Sequence, residues 1–431
     1  MKRFIPVIIF AAIQFPVIPV TSATNDIWKG GSNYAHFGLG LPHDFQASYS
    51  DGMGLYGVAL HDNRSPSIAN PASWSRSIFT TAGGAFEINS LHISGGGNQI
   101  NSTQFQTGPF QLVFPIHRDR IGISLSISPL TAARYTMENE GILEPDQNHS
   151  GEEMRYITEN VGSGGINKIE AGIGYRLTNS ISIGYAPSLL LGVINRKQTL
   201  NFDNTDYRAV NLRETTSHYG FGNRFGIYFS RGGVLRNSDQ AVFGATVSLP
   251  VKFVSERRLE SKIANRDVSI NPPSYYGKGQ TTFPLEASGG FSYHINSYLL
   301  VGADAIYQKW KGYTNFNGQA ESFLKDRIRL GVGSQYIAAL GDGTSFFSRF
   351  IYRMGVSYDT GNFTFENTDI ETIMIHGGIG IPSSETNSSI DINAEFGFRG
   401  TEFAGLVSER IFALKVSFNL SELMFIQRRL Q

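Results

Sequence analysis

FALKVSFNL, residues 412–420, sets Phe412, Leu414, Val416, Phe418 and Leu420 on one side and Ala413, Lys415, Ser417 and Asn419 on the other. A period of two belongs to a β-strand with one apolar and one polar face. The pattern recurs in Ile390, Ile392, Ala394, Phe396 and Phe398 against Asp391, Asn393, Glu395, Gly397 and Arg399. It recurs again in Phe350, Tyr352, Met354, Val356 and Tyr358 against Ile351, Arg353, Gly355 and Ser357. These strands are long, and they carry charge at mid-strand on their polar face.

Counting outward from these segments gives fourteen, near 77–97, 101–116, 120–137, 165–178, 180–201, 207–231, 239–258, 280–295, 298–312, 322–338, 345–359, 366–382, 387–401 and 405–421. After even-numbered strands the turns are short, as at His117-Arg118-Asp119 and Asn296-Ser297. The long connections, notably 138–164 and 259–279, follow odd-numbered strands. An even strand count with short turns at one end and long loops at the other is the pattern of an outer-membrane barrel. The expected fold is therefore all-β: a 14-stranded antiparallel transmembrane barrel, closed so that every backbone group in lipid is paired. Arg329, Arg353, Asp391, Glu395, Arg399 and Lys415 are then expected to face the interior.

Composition agrees. The 431 residues include 48 glycines and 12 % aromatics, only 17 % are charged, and Lys+Arg equals Asp+Glu at 36 each. Such neutrality argues against a nucleic-acid partner, which calls for a basic face. Cysteine is absent, so there is no disulfide framework and no thiolate metal site. Lys2 and Arg3 precede an apolar run from Phe4 to Val20 and the small residues Thr21-Ser22-Ala23, which predicts a secretory signal peptide over 1–23. Its removal would leave 34 basic against 36 acidic residues. No later stretch is long and apolar enough for a membrane-spanning helix.

Residues 24–76 do not alternate. They include SDGMGLYGVALHDNRSPSIANPASWS (50–75), with Gly52 and Gly54 in a glycine-rich run, then Asp62, then Asn70-Pro71-Ala72 just before the first strand. This stretch resembles the N-terminal hatch of the FadL-type long-chain fatty acid transporters of Gram-negative outer membranes. GGIGIP (377–382), EFGFRG (395–400) and SFNLSELMFIQRR (417–429) look like a divergent branch of that family. The resemblance implies a hatch over 24–76 inside a barrel over 77–421, followed by a periplasmic tail over 422–431. It also implies an apolar lumen pocket and a kinked third strand that opens sideways to lipid. The partners it implies are a hydrophobic small molecule or fatty acid and outer-membrane lipid, met by a monomer without cofactor or metal.

Within the third strand, IGISLSISPLTAARYTM (121–137), Pro129 has no N–H for a neighbouring strand. With the phase kept across it, Arg134 is expected to point inward and Tyr135 and Met137 outward. Pro129, Thr131 and Ala133 then form a small-residue outer face and the candidate lateral opening. Leu300, Ile306 and Ile351 are the inward apolar residues expected to line the lumen.

Nothing in the sequence points to an enzyme. There is no Gly-x-Ser-x-Gly elbow, zinc helix or phosphate loop. GFGNRFG (220–226) lies within an alternating strand and opens no helix. A Ser/His pair assembled across strands would leave no local signature, because such sites are recognised by geometry. Two functions remain: passive uptake of hydrophobic molecules, or a structural or secretion-associated barrel that carries no small molecule.

Overall fold

The computed structural model describes residues 30–143, 154–203, 209–263, 275–338, 346–383 and 385–423. The expected signal peptide and nearly all of the expected C-terminal tail lie outside these residues. Fourteen antiparallel strands form the wall: β1 Thr80–Gly95, β2 Asn98–His117, β3 Ile121–Ala132 with Tyr135–Leu143, β4 Met154–Arg176, β5 Ile181–Phe202, β6 Val210–Gly232 and β7 Gln240–Ser248 with Val251–Ile263. They continue as β8 Tyr275–Phe283 with Glu286–His294, β9 Leu299–Gln308, β10 Arg327–Ile337, β11 Ile351–Asp359, β12 Thr372–Pro382, β13 Ser389–Gly400 and β14 Ser408–Glu422. β14 pairs with β1 from Ser408↔Ser94 to Glu422↔Thr80, and this closes the barrel. Closure leaves no sheet edge at the seam for lipid to face.

Alternation sorts the two faces as the sequence requires. Phe396, Phe398, Phe412 and Phe418 are exposed outward, whereas Asp391, Glu395 and Lys415 are buried inward. The described parts of the expected loops 138–164 and 259–279 are strand: β3 runs to Leu143 and β4 begins at Met154, and likewise β7 reaches Ile263 and β8 begins at Tyr275. These wall sections carry Glu138, Glu140, Glu159, Glu260 and Lys278, so no apolar face marks them in the sequence.

Two neighbouring strands break at one height. Ser248↔Glu286 and Val251↔Phe283 are in register on either side of 249–250 and 284–285. Pro250 and Pro284 cannot donate to the ladder there. The inward parity changes from Thr246 to Val251 and Phe253, so the upper hairpin turns its apolar residues into the lumen.

The N-terminal segment fills the interior. Its backbone presses on inward glycines of the wall: a Cβ on Gly244 would overlap the Val58 carbonyl, one on Gly122 the Trp74 carbonyl, and one on Gly333 or Gly355 the Met53 carbonyl. Glycine is needed here for close approach of two backbones. Ion pairs add to the packing. Lys415 Nζ lies 2.9 Å from Asp51 Oδ1, and Arg327 pairs with Asp44 of the segment and Asp359 of the wall.

Candidate functional site: an interruption between β2 and β3

β3 pairs with β2 only from Ile121 to Ile127, opposite His117 to Phe110. On its other side it stays paired with β4 through Pro129↔Asn167 and, after a register shift, Thr131↔Ile166. Above Phe110, β2 remains bonded to β1 as far as Asn98 but has no β3 partner. β3 bends inward instead. Leu41–Pro42 of the N-terminal segment pairs with Ala132 and Thr131, the His43 N–H donates to the Leu130 carbonyl at 3.0 Å, and the Thr131 hydroxyl donates to the Leu39 carbonyl at 2.7 Å.

The expected phase across Pro129 is reversed. Ser124, Ser126 and Ser128 face inward below it, and Thr131, Ala133 and Tyr135 are buried above it. Tyr135 therefore points into the lumen, not to lipid, and Thr131 and Ala133 do not form an outer face. The register shift supplies the reason: a bulge adds one residue to one strand, and in a period of two this exchanges the faces. A proline at the shift costs no ladder bond that the bulge has not already removed.

The gap is bridged from within. The Gly31 N–H donates to Ser102 Oγ of β2 at 2.8 Å, and the Gly30 N–H donates to Thr136 Oγ1 of β3 at 3.1 Å. Gly31 has φ +119°, and a Cβ there would overlap the Arg134 carbonyl. The next residue fixes this strap, because Ser32 Oγ lies 2.8 Å from Glu409 Oε1 of β14.

A cavity of about 220 Å³ lies behind the gap, lined by Gln104 and Arg134 at the gap and by Asp51, Arg327, Glu395 and Lys415 deeper in. Lys415 pairs there with Asp51 and Glu395, and Arg327 with Asp44 and Asp359. A smaller space of about 40 Å³ adjoins Pro129, Leu130, Leu190 and Phe283. Towards the long-loop end Tyr34, Leu39, Ile166, Phe253, Phe283 and Trp310 form the largest apolar cluster, with Phe37 and Leu130 packed against it.

The other expected site residues fall as follows. Asn70 accepts the Ala72 N–H at 3.0 Å and donates to the carbonyls of Val58 at 2.9 Å and Ile227 at 3.0 Å. Pro71 and Ala72 open the 3-10 helix Pro71–Arg76. The Asn-Pro-Ala box thus caps a helix and ties it to β6. Gly52 abuts Asn393, and Gly54, at φ +68°, abuts His376. Asp62 accepts the Arg64 N–H at 2.8 Å and stays within its own turn. Leu300 packs with Met53 and Leu55, and Ile306 with Tyr56 and Val58. Both therefore cover the N-terminal segment and do not line open space. Ile351 is 1 % exposed.

The sequence reading gave the mid-strand charges no partners. Arg353 Nη1 lies 2.6 Å from Asp391 Oδ1, and Lys415 Nζ lies 2.7 Å from Glu395 Oε1. Their inward phase was the available signal, and their pairing depends on strand register.

The family model that matches is BamG, over residues 5–431. The chain belongs to the BamG family. No curated protein matches it. Among solved structures, this BamG-family chain is similar to a Pseudomonas aeruginosa FadL homologue at 14 % identity, covering 89 % of this chain and 100 % of that one, with a TM-score of 0.57. It is similar to the CymD monoaromatic hydrocarbon channel at 15 % identity, covering 87 % and 97 %, with a TM-score of 0.54. It is also similar to the Pseudomonas putida toluene transporter TodX at 12 % identity, covering 87 % and 97 %, with a TM-score of 0.50. At these identities the likeness is one of fold: a FadL-type outer-membrane β-barrel.

Proposed function

We propose that this barrel passes hydrophobic small molecules, long-chain fatty acids or compounds of similar character, sideways into the outer membrane between β2 and β3. The carrying observation is the unpaired edge of β2 above Phe110, left when β3 turns inward at Pro129. Leu39, Leu130 and Ile166 of the large apolar cluster lie on that side of the lumen and would receive an apolar guest. Residues 24–76 act as a hatch that stays docked, since withdrawing it would strip Lys415 and Arg327 of buried partners. The route therefore runs over the hatch and not through it, and it requires the Gly30–Ser32 strap to move. The names of two fold neighbours, a hydrocarbon channel and a toluene transporter, accord with this reading.

A second reading, a structural or secretion-associated barrel without transport, draws on the filled interior. The space at Pro129 is only about 40 Å³, the cavity of about 220 Å³ at the gap is charged, and the cavity of about 410 Å³ beside the apolar cluster also carries Arg196, Glu214 and Arg257. Preformed ligand pockets usually measure roughly 300–1,000 Å³ and are mostly apolar. Uptake of labelled oleate and of toluene, in cells with and without the protein, decides between the two. Transport predicts faster uptake of at least one compound and its loss in Pro129→Val if that change restores the β2–β3 ladder. Equal uptake with and without the protein removes transport and leaves the second reading.

A further inference from the structure

Ser357 of β11, His376 of β12 and Glu395 of β13 stand side by side on the lumen face of three neighbouring strands. Ser357 Oγ is 2.8 Å from His376 Nε2, and His376 Nδ1 is 3.1 Å from Glu395 Oε1. A hydroxyl within reach of one imidazole nitrogen, with a carboxylate on the other, is the arrangement that activates a serine for attack on a carbonyl. All three residues line the cavity of about 220 Å³ behind the β2–β3 gap. Lys415 Nζ, 2.7 Å from the same Glu395 oxygen, holds that carboxylate in place.

A fourth group completes the set. Arg329 lines the same cavity. Its Nη2 donates to the Gly54 carbonyl at 3.2 Å, while its Nη1 is buried without a hydrogen-bond partner. A buried guanidinium N–H that lacks an acceptor is suited to stabilising negative charge that develops on a carbonyl oxygen.

We propose that Ser357, His376 and Glu395 form a nucleophilic triad that hydrolyses carboxylic esters, with Arg329 Nη1 as the oxyanion donor. Ser357 Oγ bonds to the ester carbon as its proton passes to His376 Nε2. The carbon–oxygen bond to the alcohol then breaks, and His376 returns the proton to the departing oxygen. Water attacks the acyl-serine next, gives one proton to His376, and releases the carboxylic acid as Ser357 regains that proton. Glu395 accepts from Nδ1–H throughout and keeps the ring turned towards Ser357. The cavity is smaller than the roughly 300–1,000 Å³ of pockets for drug-sized ligands. It therefore suits an ester with a short acyl chain. This activity goes beyond the passage proposed above and does not depend on it.

A histidine held between a serine and a glutamate also satisfies its own buried nitrogens, and reactivity separates the two roles. The full-length protein in detergent micelles is treated with a fluorophosphonate probe, and hydrolysis of p-nitrophenyl butyrate is measured in parallel. Peptide mass spectrometry is expected to place the phosphonate on Ser357. Ser357→Ala is expected to lose all labelling and to fall to the uncatalysed rate, and His376→Asn to slow hydrolysis at least roughly 100-fold. Ser417→Ala removes another buried serine, outside the trio. It is expected to behave as the wild type, which separates loss of chemistry from loss of fold. No labelling, labelling at a different residue, or wild-type hydrolysis by Ser357→Ala overturns the proposal.

Discussion

Replacing Lys415 by methionine tests whether buried charge holds the N-terminal segment in the barrel. The ammonium lies 2.9 Å from Asp51 Oδ1 and 2.7 Å from Glu395 Oε1, and the three side chains are 8–9 % exposed. Methionine keeps most of the volume and removes the cation that contacts both carboxylates. Breaking a buried pair by deleting one partner costs about 3–5 kcal/mol, because the remaining charge is left in a poorly solvating interior. At roughly 1.4 kcal/mol per factor of ten, the docking equilibrium of the segment shifts by about 10²–10³-fold or more. The wall carries its own strand ladders, so the strain falls on the short helix Ser48–Asp51 that bears Asp51. Planar-bilayer recording and limited proteolysis read the outcome. Lys415→Met is expected to show channel openings and cleavage within 44–76 that the wild type lacks, while the heat-dependent gel shift of the folded barrel stays. Lys415→Met combined with Asp51→Leu removes both charges of that pair and is expected to regain most of the protection. If Lys415→Met stays as closed and as protease-resistant as the wild type, the ion pair does not hold the segment and the reasoning fails.

Two further outcomes follow from local geometry. Gly355→Ala drives a Cβ into the Met53 carbonyl, whereas Gly289 has open space at that position; the first change is expected to cost about 1–3 kcal/mol in urea unfolding, and Gly289→Ala close to nothing. In the short turn after β6, burial would raise the Asp239 carboxyl, but the Tyr293 hydroxyl and the N–H groups of Val234, Leu235 and Arg236 outweigh it and hold its pKa down to about 2. A depressed carboxyl stabilises the turn fully above its ordinary pKa of roughly 3.9 and loses that effect as pH falls through about 2. Protection of the Val234–Arg236 amides, measured against the intrinsic exchange rate at each pH, should therefore be high at pH 5 and fall towards pH 2, and Asp239→Ala should lower it at both; equal protection in the variant at pH 5 would show that the carboxylate does not hold the turn.

The wall was legible wherever one strand face meets lipid. Phe412 to Leu420 and Ile390 to Phe398 alternate because every second residue must be apolar, and that need fixed the strand count and the loop parity. It was illegible where both faces are wet. The upper parts of β3 and β4, with Glu138, Glu140 and Glu159, carry no apolar period and read as loop. The bulge at Pro129 shows a different limit. The sequence marks a proline in a strand, but not whether the chain gains a residue there, and a single residue turns Tyr135 from the outside into the lumen while Arg134 comes to line the gap. The interior was hardest to read. Leu300 and Ile306 were recognisable as inward and apolar, yet what they touch depends on how the N-terminal segment is threaded. Ser357, His376 and Glu395 come together only through the register of three strands.

The lateral route is tested most directly by where a hydrophobic guest touches the wall. Outer-membrane vesicles containing the protein are loaded with a fatty acid that bears a photoreactive diazirine, irradiated, and digested for mass spectrometry. Lateral passage predicts adducts concentrated on the two sides of the interruption, at 104–108 of β2 and 129–136 of β3, and suppressed by excess unlabelled oleate. Adducts spread evenly around the lipid-facing band, unaffected by competition, would contradict it.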